Sequence, residues 1–149
     1  MQNDFEGMSG WFPDAQLASI SHDVAHSGRY SLRAGAGNEY SLSYKGALRQ
    51  IFETRPAKIK VSGWGFLSTP DAKGTLVVAI NDPLAPEGEP LLWAGLDLAE
   101  AVKSPNKWVE VSKTIELPAT ATPESVLTIY LWGNSGQPVY LDDIQLEKE

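Results

Sequence analysis

Two stretches of this sequence carry large aromatic rings at a spacing suited to a flat, hydroxylated ligand. Residues 126–132 read Val-Leu-Thr-Ile-Tyr-Leu-Trp. Side chains of an extended strand alternate between faces, so Leu127, Ile129 and Leu131 share one face and Thr128, Tyr130 and Trp132 the other. Residues 59–67 repeat the arrangement, with Ile59, Val61, Gly63, Gly65 and Leu67 opposed to Lys60, Ser62, Trp64 and Phe66. The aliphatic parity is a core face. The opposite parity carries indole, phenol and phenyl rings where a solvated Lys/Glu/Thr surface is the norm. A sugar ring presents apolar C–H faces edged with hydroxyls; aromatic rings stack on those faces while nearby amides and charged groups orient the hydroxyls. On this reading Trp64 and Trp132 are the platform and Tyr130 and Phe66 its floor. Trp93 either walls the site or caps the core. Arg49, Gln50, Lys60, Ser62, Asn81 and Gln137 are the polar partners, the choice between Arg49 and Gln50 resting on strand register.

Catalytic patterns are absent. His22 and His26 stand four apart but flank Asp-Val-Ala in an extended context, without the glutamate or helix of a His-Glu-x-x-His metal site. Gly7-Met8-Ser9-Gly10 and Gly133-Asn134-Ser135-Gly136 lack the Gly-x-Ser-x-Gly elbow. Asp142 and Asp143 are adjacent on a strand and face opposite ways, so they cannot flank a glycosidic bond as a carboxylate pair. Asp82, Glu87 and Glu89 lie in a loop with nothing to shift their titration. There are no cysteines, which excludes disulfides and thiolate chemistry. No catalytic residue is assigned, and binding is expected in place of catalysis. A net charge of −7 argues against nucleic acid and anionic membranes as partners. No apolar run is long enough to span a bilayer, and Met1–Glu6 lacks the pattern of a signal peptide. The chain is therefore intracellular, or a mature or excised domain.

The elements that must position these residues are short β-runs separated by Gly, Pro, Asn and Asp clusters. The pattern predicts strands over 17–24, 28–35, 39–45, 47–54, 57–68, 74–81, 91–96, 107–117, 125–132 and 138–147. That spacing is the mark of a two-sheet sandwich. Residues 97–103, Asp-Leu-Ala-Glu-Ala-Val-Lys, read as a turn or two of helix stopped before Pro105. Residues 81–90, with Pro83, Pro86 and Pro90, form the longest irregular connection. No repeat or linker divides the chain, and 149 residues suit one domain.

Three segments occur in a telling order: Asn3-Asp4-Phe5-Glu6-Gly7 with Gly10-Trp11, then His26-Ser27-Gly28-Arg29-Tyr30-Ser31-Leu32, then Val139-Tyr140-Leu141-Asp142-Asp143-Ile144-Gln145-Leu146. Between them lie Pro56–Trp64 and Asn106-Lys107-Trp108-Val109-Glu110-Val111. Together these resemble the jelly-roll carbohydrate-binding modules attached to bacterial xylanases, cellulases and laminarinases, of galactose-binding-domain-like fold. The resemblance covers nearly the whole chain, although Ile59 stands where an aromatic is common. It implies an all-β, two-sheet antiparallel sandwich of jelly-roll topology that binds a polysaccharide or oligosaccharide without catalysis, as part of a larger extracellular or cell-surface protein. It also implies that Trp11 and Trp108 are core or edge tryptophans. Finally, it implies a structural calcium ion held by the Glu6 side chain, by carbonyls of the Ser27, Gly28 and Tyr30 turn, and by Asp142. Strand parity places Asp142 inward with Ile144 and Leu146, where a bare carboxylate carries a desolvation cost that a hard cation offsets. Alternatively, Asp142 accepts backbone N–H bonds or pairs with Arg29 or Arg33. Two other functions stay open: a protein-interaction domain whose aromatic face packs on a neighbour, and a polysaccharide-active enzyme.

Overall fold

The computed structural model describes residues 2–6, 19–35 and 37–149. The elements in chain order are β1 (Gln2–Asn3), β2 (Ile20–Ser21), β3 (Ser31–Ala34), β4 (Tyr44–Ala47), α1 (Leu48–Ile51), β5 (Lys58–Leu67), β6 (Gly74–Asn81), β7 (Leu92–Asp97), α2 (Leu98–Val102), β8 (Val109–Glu116), β9 (Val126–Gly133) and β10 (Val139–Lys148). They form two antiparallel sheets in a jelly-roll sandwich. Sheet A runs β2–β3–β10–β5–β8, with β1 also paired to β10, and sheet B runs β4–β9–β6–β7.

The aliphatic parities meet between the sheets. Ile59, Val61, Leu141, Ile144 and Leu146 of sheet A face Leu76, Val78, Ile80, Leu127, Ile129 and Leu131 of sheet B, all of them buried. Each such side chain contributes about 1.5–3 kcal/mol by leaving water. Helix α2 covers one flank with Leu98 and Val102. Its N-terminus is capped by Asp97, whose Oδ1 accepts from the amides of Ala99 and Glu100 at 2.9 and 3.3 Å. Gly65 makes room for it, since a Cβ there would stand 3.0 Å from Val102 Cγ2.

Two expectations fail locally. The segment 47–54 is not a strand: Leu48–Ile51 coil into α1. The amides of Leu48 and Arg49 donate to Ser125 and Pro123 carbonyls at 2.9 and 3.0 Å, and Gln50 Oε1 accepts from the Ala47 amide at 3.1 Å. That turn carries Leu48 into the core, which an extended backbone on the same anchors would not do. The second failure is at Asp142. The β10 register shifts between Asp142 and Gln145, and Asp143 has a left-handed φ of 49°. This bulge inserts a residue and reverses the alternation. Leu141 and Ile144 therefore both face the core, while Asp142 pairs with Trp64 on the outer side of sheet A.

Candidate functional site: the aromatic face of sheet B

The two tryptophans expected on one platform lie on different sheets. Trp132 is on β9 in sheet B and Trp64 on β5 in sheet A. Parity placed both opposite the core, correctly, but a sandwich has two outer faces that point away from each other.

On sheet B the outward residues of β9 are Thr128, Tyr130 and Trp132, paired in register with Ala79, Val77 and Thr75 of β6. Those β6 residues in turn oppose Trp93, Gly95 and Asp97 of β7. Val77 is outward-facing yet wholly enclosed (0% exposed), and Ala79 nearly so (7%). Rings cover them. The Trp93 ring folds back over Gly95, where a Cβ would stand 3.0 Å from its Cη2. Lys113 Nζ, reaching across from β8, donates to the Gly95 carbonyl at 2.8 Å and ties down this edge strand. Trp93 nonetheless stays 50% exposed and Tyr40 49%.

Alternation from Leu42 across Tyr40-Ser41-Leu42-Ser43-Tyr44 predicts both tyrosines inward, but Tyr40 bridges to Trp132 and lies parallel to that ring, with centroids 6.2 Å apart and planes at 10°, and it meets Tyr130 edge-on at 6.0 Å. Residues 41–43 form no strand, so alternation from Leu42 does not apply, although Tyr44 does pack against the core. Glu39 Oε1 accepts from Trp132 Nε1 at 3.1 Å, fixing the indole. Glu39 and Tyr40 were missed in the sequence because the Leu42 alternation turns Tyr40 inward and leaves Glu39 unmarked; the Gly37-Asn38 turn before them was the available signal. Burial, then the Glu39 charge, pushes the Tyr40 phenol up, so the ring is neutral at physiological pH.

The polar partners scatter. Asn81 closes β6 on the sheet B side, level with Val126. Gln137 sits in the exposed turn before β10. Arg49 pairs with Glu124 at 3.0 Å, and Gln50 is spent on the Ala47 amide, both on α1 and off the aromatic face. Lys60 and Ser62 lie on sheet A, across from Thr114 and Ser112. The outer face of sheet B carries Lys45 and Thr128, side by side in register, and Asp97 at its far corner.

Trp64 and Phe66 belong to a second cluster, on the outside of sheet A. The loop before β3 folds over it. His26 stacks on Trp64 (4.0 Å, 12°) and meets Trp108 edge-on at 5.9 Å, while Phe66 packs on Trp108 at 5.2 Å and Tyr140 at 5.9 Å. Trp108 is therefore half-buried on this outer cluster, outside the inter-sheet core; Trp11 lies outside the described residues. Beneath the loop, Asp142 is fully buried. Its Oδ2 accepts from the amides of His26 and Ser27 at 2.8 and 3.1 Å, and its Oδ1 from the Asp143 amide at 2.8 Å. Burial dominates and pushes its pKa up to about 6, against the pull of these three amides. At the other end of the turn Glu6 Oε1 accepts from the amides of Arg29 and Tyr30, both at 2.8 Å, with Gly28 (φ 59°) pressed against the carboxylate. Asp143 takes both His26 Nδ1 and the Ser27 hydroxyl at 2.7 Å. The serine thus donates to the carboxylate and faces no base, so the trio lacks the order of a nucleophilic triad.

No protein-family model matches this sequence, and no curated protein matches it either. Solved structures do. The CBM22-1 xylan-binding domain of Paenibacillus barcinonensis Xyn10C matches with a TM-score of 0.61 at 20% identity, over 99% of this chain and 92% of that one. The Clostridium thermocellum xylanase 10B CBM22-1-GH10 modules, complexed with xylohexaose, match with 0.63 at 16%, over 100% of this chain and 28% of that longer one. TmCBM61 in complex with β-1,4-galactotriose matches with 0.51 at 14%, over 99% of each chain. At these identities the likeness is one of fold. This chain has the jelly-roll sandwich of carbohydrate-binding modules, as its motif order implied.

Proposed function

We propose that this chain is a non-catalytic module that binds a neutral polysaccharide or oligosaccharide on the outer face of sheet B. One observation carries the reading. Trp93, Tyr130, Tyr40 and Trp132 converge on a single face, over a floor of Val77 and Ala79, with two of the four rings about half exposed. A structural surface does not ordinarily leave such rings in water. Here they are held by the sheet, by Gly95 and by Glu39, so a ligand meets a preorganised surface and little ordering cost falls on binding. A few stacked rings and hydroxyl bonds in wet surroundings support a Kd on the order of micromolar to millimolar, about −8 to −4 kcal/mol. The saccharides in the similar structures, xylan-type and galactan-type chains, agree with a neutral ligand. The net charge of −7 disfavours polyanions. Among the described residues no group of three or more His, Cys, Asp or Glu forms a candidate metal cluster. A larger extracellular or cell-surface parent protein accords with the xylanase match, in which the module is one part of a longer chain.

A structural calcium ion at the Glu6–Asp142 turn is a second part of the proposal. The donor set fits in kind: Glu6 and Asp142 bracket residues 26–30, and among the described residues no hydrogen bond uses the carbonyls of Ser27, Gly28 or Arg29. Glu6, Asp142 and carbonyls of the Ser27–Tyr30 turn would hold the ion, a hard all-oxygen shell, and the ion would supply the charge that three amides do not fully provide for Asp142.

Affinity electrophoresis through gels containing xylan, β-1,4-galactan or mixed-linkage β-glucan tests the function. Retardation in at least one, lost in Trp93→Ala, is expected. Free migration in every neutral polysaccharide would refute it.

A further inference from the structure

We infer that a cleft at the Trp132 end of sheet B receives the terminal sugar residue of a chain lying on the aromatic face. This rests on the reading above and deepens it, from a face that binds glycan to one that engages chain ends. The cleft, about 630 Å³, opens between the turns that follow β3 and β9. That size is in the range of small-ligand sites. Its walls carry Trp132, Glu39, Asn134 and Ser135, and four glycines supply the rest.

The floor is rigid and closed. Gly35 N and Asn38 N bond reciprocally to Asn38 and Gly35 carbonyls at 2.7 and 3.2 Å, and Gly133 N donates to the Glu39 carbonyl at 2.7 Å. Gly133 packs backbone to backbone on Gly35, so a Cβ there would collide with it. Beyond Trp132 the aromatic face thus ends in a recess whose floor these contacts close. The rims are open among the described residues, where a Cβ on Gly37 or Gly136 would meet nothing within 4 Å.

The polar groups divide into those already used and those available. Ser135 Oγ is occupied, accepting from the amides of Lys73 and Gln137 at 3.1 and 3.3 Å, so it holds the turn. Asn134 is exposed, and its amide makes no hydrogen bond among the described residues. Glu39 fixes the indole and adds an anionic acceptor at the cleft wall. An indole, a carboxylate and a free amide around one recess complement a terminal pyranose. The terminal unit keeps a hydroxyl that an internal unit loses to its glycosidic bond, and buried hydroxyls need such partners. The Glu39 charge also disfavours a uronic acid at this position and favours a neutral sugar.

The test uses the full chain with xylo-, cello- and β-1,4-galacto-oligosaccharides of increasing length beside their parent polysaccharides. Gly136→Trp fills the cleft from a rim position of ordinary φ, where no described residue obstructs a side chain, so its melting temperature should match the wild type. Its oligosaccharide affinity should fall by about tenfold or more, a loss of about 1.4 kcal/mol. Amide resonances of Gly37, Gly133 and Gly136 in the unmodified protein should shift together with the Trp132 indole N–H as oligosaccharide is added. Partial hydrolysis of the polysaccharide should raise the amount of protein bound per mass, because ends multiply. Wild-type affinity in a folded Gly136→Trp, or a shifting indole with unmoved glycine amides, overturns the terminal subsite and leaves the aromatic-face reading standing. Failure of the wild type to bind any of these glycans overturns both.

Discussion

Trp64, read as a platform ring, and Trp93, read as either a wall or a core cap, are alike in residue type, and the fold separates them. Trp64 lies mostly enclosed under His26, at 4.0 Å centroid separation, whereas Trp93 is 50% exposed on the other sheet. A tryptophan side chain buries up to about 250 Å², and apolar area is worth about 25 cal/mol/Å². That is about 6 kcal/mol for a fully buried ring; with the alanine methyl retained and Trp64 only partly exposed, Trp64→Ala should cost about 3–4 kcal/mol of stability, and Trp93→Ala, at a half-exposed ring, about half of that. For a chain of this size each kcal/mol moves the melting temperature by about 2–4 °C, so Trp64→Ala should melt roughly 6–16 °C low. Binding should show the opposite order. Trp93→Ala loses a stacking contact and weakens glycan affinity by about 1–3 kcal/mol, the range of aromatic hot spots, while folded Trp64→Ala binds as the wild type does. Thermal melting by near-ultraviolet circular dichroism and titration calorimetry on the same preparations read both quantities. Equal affinity losses in the two variants, with Trp64→Ala melting normally, would mean that sheet A carries the site and that the face assignment is wrong.

Two further predictions rest on single side chains. The Asp142 carboxyl has its pKa raised from 3.8 to about 6 in the folded chain; the native state then binds more protons than the unfolded state between these values, so stability is highest below the lower one and falls as pH rises through 6. In a chelating buffer the wild type should lose up to about 3 kcal/mol, relative to Asp142→Asn, between pH 4 and pH 7, and calcium should abolish that loss if it binds there; parallel urea-unfolding profiles for the two proteins, with and without calcium, would contradict both statements. Gly95→Val should displace the Trp93 ring, because the added carbons meet its Cη2 at 3.0 Å and Thr75 Cγ2 at 2.8 Å; calorimetry should show weakened glycan binding in a protein that still folds, and unchanged affinity would remove Trp93 from the site.

The covering of sheet A by the loop before β3 has a consequence for the whole molecule. Trp64, Phe66, Trp108 and Tyr140 would form an aromatic patch much like that of sheet B if they were bare. His26, backed by its contact with Asp143 at 2.7 Å, closes over Trp64. The left-handed backbone at Asp143 and the bulge it marks turn Asp142 outward to anchor that loop by two amides. Sheet B has no such covering loop among the described residues, and Trp93 and Tyr40 stay about half exposed there.

Much of this architecture was legible in the residues themselves. Alternation over 59–67 and 126–132 separated core from outer face, because a strand buried on one side must repeat with period two, and every aliphatic residue of that parity lies in the core. Asp97 and Pro105 framed α2, and the motif order pointed to the jelly roll. Local pattern failed where tertiary contacts override it. Ala47–Ile51 looks like a strand and coils because Ser125 and Pro123 supply its partners. One inserted residue at the β10 bulge inverted the side to which Asp142 points. The site itself was decided only by the fold. Parity says that Trp64 and Trp132 both face away from the core, but it is a property of one strand and holds no information about which sheet that strand joins. Long-range pairing put β5 beside β10 and β9 beside β6, and with that sent the two rings to opposite sides of the molecule and brought Tyr40 and Glu39, which local alternation does not place there, to Trp132.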